Sequence, residues 1–252
     1  MSIKSSTMPF PVQLKSPIQL DPVLLAIVLT LLFGGLVILA SASISVSDNT
    51  TGDPFFYVSR QAVAALLGGV AGFTCLFVPM RFWMRTGPFM LLVAFALLLV
   101  VLVPGVGYTA NGSTRWIRLG VLNLQASEPA RLCLMIYLAG YLVRQNKSIR
   151  EQFSGFLKPI AVLVIASSLL LLEPDLGAAI VLVATAFAMM FVAGARVRDF
   201  TLFAGLGLVA AMLLVVTKEY RLERLTGFMD PWADPFDTGF QLTQSLIAIG
   251  RG

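Results

Sequence analysis

The sequence predicts an all-α polytopic membrane protein, and three observations carry that expectation. Of its 252 residues, 58% are hydrophobic and only 12% charged, whereas a soluble domain carries about 25% charged residues. Its mean hydropathy is +0.87. Its apolar residues fall into seven runs, most of them near the roughly 20 residues that cross a bilayer and the fifth rather short, and the cations collect between the runs.

Residues 1–22 are polar and rich in Pro, with Lys4 and Lys15, and read as a flexible cytoplasmic tail. The first span is Val23 to Ala42. Ala40-Ser41-Ala42 resembles a signal-peptide cleavage site, but the apolar run is longer than the roughly 7–15 residues of a signal peptide, so an uncleaved span is expected. Ser43 to Phe56 is a loop without Lys or Arg. The second span, Tyr57 to Pro79, has Arg60 one turn inside and a Gly68-x-x-x-Gly72 spacing that permits close helix contact. Arg81 and Arg85 flank Trp83 in a tight basic turn before the third span, Gly87 to Val103.

Asn111 to Leu132 is unlike its surroundings, with three Arg and one Glu between apolar runs. Asn111, Gly112 and Ser113 are turn formers. Trp116, between Arg115 and Arg118, reads as an aromatic anchor at a membrane surface. Ser127 is placed to cap a fourth span, Glu128 to Val143, with Pro129 in its first turn. Glu128 and Arg131 are three apart and share a helix face. A second basic loop holds Arg144, Lys147, Arg150 and Lys158. The fifth span, Pro159 to Leu172, runs into the two-carboxylate turn Glu173-Pro174-Asp175. The sixth and seventh spans are Ala178 to Ala193 and Phe200 to Thr217. Residues 218–252 start an outer loop, and Gly239 to Ile249 within it is amphipathic and too short to span, so it is expected along the membrane surface.

Seven spans put the two ends on opposite sides. With the N-terminus inside, the inner segments hold ten of the 18 cations and three of the 13 acids, a net +7; the outer segments hold the rest, a net −2. The basic inner face suits anionic lipid and fixes an N-in orientation. Eight cations on the outer face call for a reason. Pairing with the ten outer acids is one; a site that grips an anionic headgroup through Arg forks is the other.

The chain has no His, so a Ser-His-Asp triad and His-ligated metal sites are excluded. Cys75 and Cys133 lie in apolar runs and read as small core residues. No cofactor is evident, and a divalent cation has no support in the sequence. Nucleic acid is not an expected partner. Carboxylates and Arg beside lipid remain. They suit transfer from a lipid-linked diphosphate sugar, with Arg stabilising the departing diphosphate and a carboxylate taking the proton of the attacking hydroxyl. They suit equally a transporter of such a lipid.

NGSTRWIRLG with QASEPARL, then EPDLG, then FMDPWADPFDTGFQLTQSLIAIGRG resemble the conserved blocks of the SEDS family, the shape, elongation, division and sporulation proteins. The last block is most like the cell-division branch. The resemblance runs from about Asp53 to Gly252. It implies a ten-helix inner-membrane fold and a peptidoglycan glycosyltransferase that polymerises lipid II at the division septum. Its implied partners are a class B penicillin-binding protein and other divisome membrane proteins. It carries substrate-binding roles to Arg60, Asn111, Arg115, Trp116, Glu128, Arg131, Glu173, Asp175, Asp234 and Gln241. Ala126 stands where the family has Pro, and Arg131 where it has Lys. The family's catalytic Asp lies in an acidic block beyond the last residue here. No catalytic residue is therefore assigned, and the chain is expected to be an N-terminal part, inactive alone. Two other functions stay open. A lipid II flippase should place charges at several depths of its helices, yet Val23 to Ala40, Met90 to Val103 and Ala178 to Phe191 carry none. A non-catalytic divisome scaffold would tolerate loss of Glu128 and Glu173.

Overall fold

The computed structural model describes residues 20–110, 113–119, 122–217, 230, 232, 235–236 and 239–251. The chain divides into two compact units, Met1–Phe82 with Gly120–Leu122, and Trp83–Leu119 with Asn123–Gly252.

The first unit is a helical pair, α1 (Pro22–Thr51) and α2 (Phe56–Leu76). The Asp21 carboxylate accepts from the amides of Val23, 2.8 Å, and Leu24, 3.2 Å, and Pro22 takes the first helical position, where its missing N–H costs nothing. α1 does not stop at Ala42, as expected, but continues through Ser43–Thr51. The hydroxyls there turn back onto the helix: Thr50 donates to the Val46 carbonyl, 2.7 Å, and Thr51 to that of Ser47, 2.8 Å. Gly52 then ends it at φ 70°. Both helices are exposed along nearly their whole apolar length. Cys75 is on that exposed surface, which corrects its reading as a core residue. A Cβ built on Gly68 or Gly72 meets nothing within 4 Å, so no described residue packs on that stripe.

The second unit holds the core. α3 (Met80–Val101) takes in Arg81, Trp83 and Arg85, so the expected basic turn is the start of a helix. A three-stranded sheet follows, β1 (Gly107–Ala110), β2 (Ser113–Leu119) and β3 (Leu122–Gln125), in the order β1-β2-β3. Then come α4 (Ser127–Arg144), the short α5 (Asn146–Glu151), α6 (Phe153–Leu172), α7 (Leu176–Val192), α8 (Val197–Val216) and α9 (Phe240–Arg251). α6 starts at Phe153, not Pro159, and so reaches a full 20 residues; Pro159 lies within it and Lys158 just before that. α7 packs on α4, α6 and α8. Its fully buried Leu182, Ala186 and Met190 recur every four residues and form one core with Leu134 and Leu138 of α4, and Phe156, Ala166 and Leu170 of α6. The Tyr141 hydroxyl donates to the Gly155 carbonyl at 2.9 Å, and a Cβ on Gly155 would stand 2.5 Å from the Ser148 backbone, so only glycine allows this close approach of α5 and α6.

Among the described residues, α1, α2, α3, α6 and α8 are long and apolar enough to cross a membrane, and α7 is apolar but has 17 residues. α4 has 18 residues and includes Glu128, Arg131 and Arg144. The protein is a multi-pass helical membrane protein, with the helices close to the expected places and a small sheet in addition.

Candidate functional site

The segment read as a polar loop is the sheet. It holds Thr, Tyr, Trp and Ile, all good strand formers, but adjacent Trp116 and Ile117 between Arg115 and Arg118 break the period-2 alternation that would signal a strand. β1 and β2 are antiparallel, with Gly107 opposite Ile117 and Tyr108 opposite Trp116. A bulge between Tyr108 and Thr109 brings Thr109 opposite Thr114, their hydroxyls 2.7 Å apart. The Arg118 guanidinium stands 3.6 Å over the Tyr108 ring. Gly107 abuts the Val101 carbonyl so closely that a Cβ has no room.

Ser113 and Arg115 alternate with Thr114 and Trp116 and meet the α6–α7 turn. The Ser113 hydroxyl donates to the Glu173 carbonyl, 2.5 Å. Arg115 Nη1 lies 3.4 Å from Asp175 Oδ2. The same Oδ2 accepts from Gln125 Nε2 at 3.2 Å and from the Ser127 hydroxyl at 3.5 Å, and Gln125 Nε2 also donates to Ser127 Oγ at 3.0 Å. Asp175 Oδ1 accepts from the Ala178 amide, 3.1 Å, and so caps α7. One carboxylate thus joins β2, β3 and the starts of α4 and α7. Ser127 does not cap α4: Ala126 occupies the cap position without a side-chain bond, because the Ser127 hydroxyl is turned to Asp175.

Glu173 is fully buried, and neither of its carboxyl oxygens has a hydrogen-bond partner among the described residues. Burial raises its pKa to about 8; the Asp175 charge adds to the rise and Arg115 partly offsets it. At neutral pH it keeps its proton. Its backbone carbonyl makes the tie to Ser113.

At the mouth of α4, Arg131 Nη2 donates to Glu128 Oε2 at 2.5 Å. This pair shares a helix face, as the spacing indicates; Glu128 is exposed, 54%, and Arg131 partly exposed, 32%. Trp116 is half-buried on β2. Gln241 sits exposed on α9, where its backbone carbonyl accepts from the Ser245 hydroxyl at 2.7 Å. Arg60 belongs to the first unit, its guanidinium 5.1 Å from the centre of the Phe56 ring. Asn111 and Asp234 lie outside the described residues. Sequence reasoning does not single out Ser113, Gln125 or Ser127 as partners of the EPD turn; nothing in their local pattern encodes a contact about 50 residues away.

Residues 22–252 match the FtsW/RodA/SpoVE family model, described as cell cycle protein. The chain is 50% identical over 234 residues to a probable peptidoglycan glycosyltransferase FtsW of Thioalkalivibrio sulfidiphilus, covering 93% of this chain and 58% of the relative. It is 49% identical over 234 residues to the protein of the same name in Halorhodospira halophila, covering 93% and 59%. The chain thus spans a little under three fifths of the length of these curated relatives. Among solved structures, a chain of a peptidoglycan synthase complex that coordinates polymerization and crosslinking has a TM-score of 0.63 at 33% identity, covering 85% of this chain and 64% of its own. The rod shape determining protein RodA of Thermus thermophilus has a TM-score of 0.54 at 31% identity, covering 72% and 58%. The chain belongs to the FtsW/RodA/SpoVE family of cell cycle proteins.

Proposed function

We propose that this protein serves as a peptidoglycan glycosyltransferase, polymerising lipid II on the outer side of the bacterial inner membrane at the division septum, together with a class B penicillin-binding protein. The observation that carries this reading is the identity of about 50% over 234 residues to relatives named for that activity. The geometry supports it. Glu128 is exposed and Arg131 partly exposed at the start of α4, beside a sheet tied down by Asp175, and the apolar runs of α1, α3 and α7 carry no charge that would mark a transport path.

In the reaction, the acceptor hydroxyl oxygen bonds to the anomeric carbon of the donor, the carbon–oxygen bond to the diphosphate breaks, and the diphosphate leaves with the electron pair. The hydroxyl proton passes to a base, for which no residue here is assigned. Arg131 offers its fork to the diphosphate oxygens and stabilises the charge that develops there. Glu128, released from Arg131 by the incoming diphosphate, can accept from a sugar hydroxyl. Trp116 supplies an aromatic surface at the membrane boundary. The family resemblance adds Asn111, Asp234 and Gln241 to the proposed set.

The test uses a chimaera that continues this chain with the remainder of the Thioalkalivibrio sulfidiphilus relative, combined with a class B penicillin-binding protein and labelled lipid II. Glycan strands on a gel are expected. Lipid II moved across vesicles without strands would favour a flippase, and neither outcome a scaffold. Orientation is read separately with an impermeant thiol reagent on intact cells, using a variant that lacks Cys75 and Cys133. Asp53→Cys is expected to label and Lys147→Cys to stay unlabelled; the reverse pattern overturns the outer placement of the site.

A further inference from the structure

We propose that Asp175 is the positioning residue of the lipid-diphosphate site, and that Arg115 serves the site through Asp175 and not by touching the ligand. The inference rests on the function proposed above and concerns how its site is built. Arg115 matches a block in which a cation is expected to grip substrate, yet its Nη1 is engaged by an Asp175 carboxylate whose side chain is 7% exposed. Its Nε is buried with no hydrogen-bond partner among the described residues. Arg115 is about as exposed as Arg131, 29% against 32%, but its partner is a buried carboxylate shared with Gln125, Ser127 and the α7 cap, so diverting it to a diphosphate would leave that carboxylate short of its cation. Arg131, by contrast, has only the exposed Glu128 to displace.

Asp175 is the group through which the surrounding pieces are connected. Its Oδ2 receives Arg115 of β2, Gln125 of β3 and Ser127 of α4, and its Oδ1 caps α7. Ser127 is directly followed by Glu128, and Gln125 Nε2 links it to Asp175, at 3.0 Å from Ser127 Oγ and 3.2 Å from Asp175 Oδ2, so this link bears on where the first turn of α4, and with it the Glu128–Arg131 pair, stands. The Ala126 amide donates to the Arg115 carbonyl at 3.1 Å, a second tie between β2 and the same turn. Glu173 adjoins this array through the Ser113 bond to its carbonyl, and its carboxyl oxygens have no partner among the described residues. As a neutral acid it leaves the Arg115 charge to Asp175; as an anion it would compete for it.

The experiment measures undecaprenyl diphosphate binding to the detergent-purified chain and variants. Arg131→Ala is the control for the site itself and should weaken binding about tenfold or more; wild-type affinity there would overturn the site reading, not this inference. Asp175→Asn keeps a good capping residue but removes the charge. Arg115→Ala, Asp175→Asn and the double variant should each lose about tenfold, the double no worse than the singles, as expected for residues acting as one unit. A double variant weaker by about a hundredfold would show independent contacts and overturn the proposal. Arg115→Lys keeps a cation within reach of Asp175 and should recover affinity to within about threefold of wild type, but only where Asp175 is present. Recovery that persists with Asp175→Asn would mean that the cation meets the ligand directly. If Asp175→Asn fails to accumulate, Gln125→Ala decides: weakened binding supports positioning through Asp175, and wild-type affinity contradicts it.

Discussion

The mouth of α4 and the α6–α7 turn each carry an Arg–carboxylate pair; the two arginines are about equally exposed, 29% for Arg115 and 32% for Arg131, and the pairs differ in their carboxylates. Glu128 and Arg131 are three residues apart on one helix and meet at 2.5 Å, with the Glu128 carboxylate exposed. Arg115 and Asp175 come from β2 and a helix cap sixty residues on and stand at 3.4 Å, with the Asp175 carboxylate buried and Arg115 partly exposed. An exposed pair of this kind contributes about 0–1 kcal/mol, because water screens it and two side chains must be ordered. A buried pair is different. Its net contribution can be small, yet removal of one partner leaves a charge without compensation and costs about 3–5 kcal/mol. Short distance is therefore a poor guide to structural weight here; burial and shared partners decide. The pair with little structural weight is free to trade partners with a ligand, and the other holds the scaffold.

Breaking the buried pair should give the largest effect. Asp175→Ala removes the ion pair, the α7 cap and the acceptor for Gln125 and Ser127. The expected loss is about 3–5 kcal/mol, read as a large drop in thermal midpoint in detergent and reduced accumulation in the membrane. An unchanged midpoint would remove the buried pair from the scaffold.

Glu173 sharpens the comparison through pH. Its folded pKa, about 8, lies above the ordinary carboxyl value of 4.5, first through burial. Below pH 4.5 the group is protonated folded and unfolded and costs nothing. Between 4.5 and 8 the unfolded chain releases a proton that the folded chain keeps, so stability falls as pH rises and levels off above 8. Glu173→Gln, with no proton to lose, should raise the thermal midpoint at about pH 8.5 and leave it nearly unchanged at about pH 5. An equal shift at both values would show that Glu173 is not a neutral acid in the fold.

How much of this is legible in the sequence depends on the range of the interaction. The membrane class, the approximate positions of the helices and the Glu128–Arg131 pair follow from apolar run length and i, i+3 spacing, which are local. The end of α1 is not, because Ser and Thr read as loop formers although their hydroxyls bond back to the preceding turn. Pro159 reads as a helix start, and α6 instead carries it in its interior. The sheet hides because the seven residues of β2 hold two Arg and a Trp, a composition shared with interfacial loops. The Asp175 array is not legible at all. EPD marks a turn, but its partners lie 48 to 60 residues earlier in the chain, and only the packing of the sheet on the α6–α7 turn brings them together.

The smallest structural effect belongs to Arg131, and it is where the account is tested most directly. Thermal midpoint and undecaprenyl diphosphate affinity are measured on the same preparation of Arg131→Ala. The exposed pair predicts a stability change within about 1 kcal/mol and a loss of one charge-assisted contact to the ligand, about 1.5–3 kcal/mol, or roughly one to two decades in affinity. A stable variant that binds like the wild type would contradict the assignment of this pair to the ligand, and a variant that unfolds would contradict the division of labour between the two pairs.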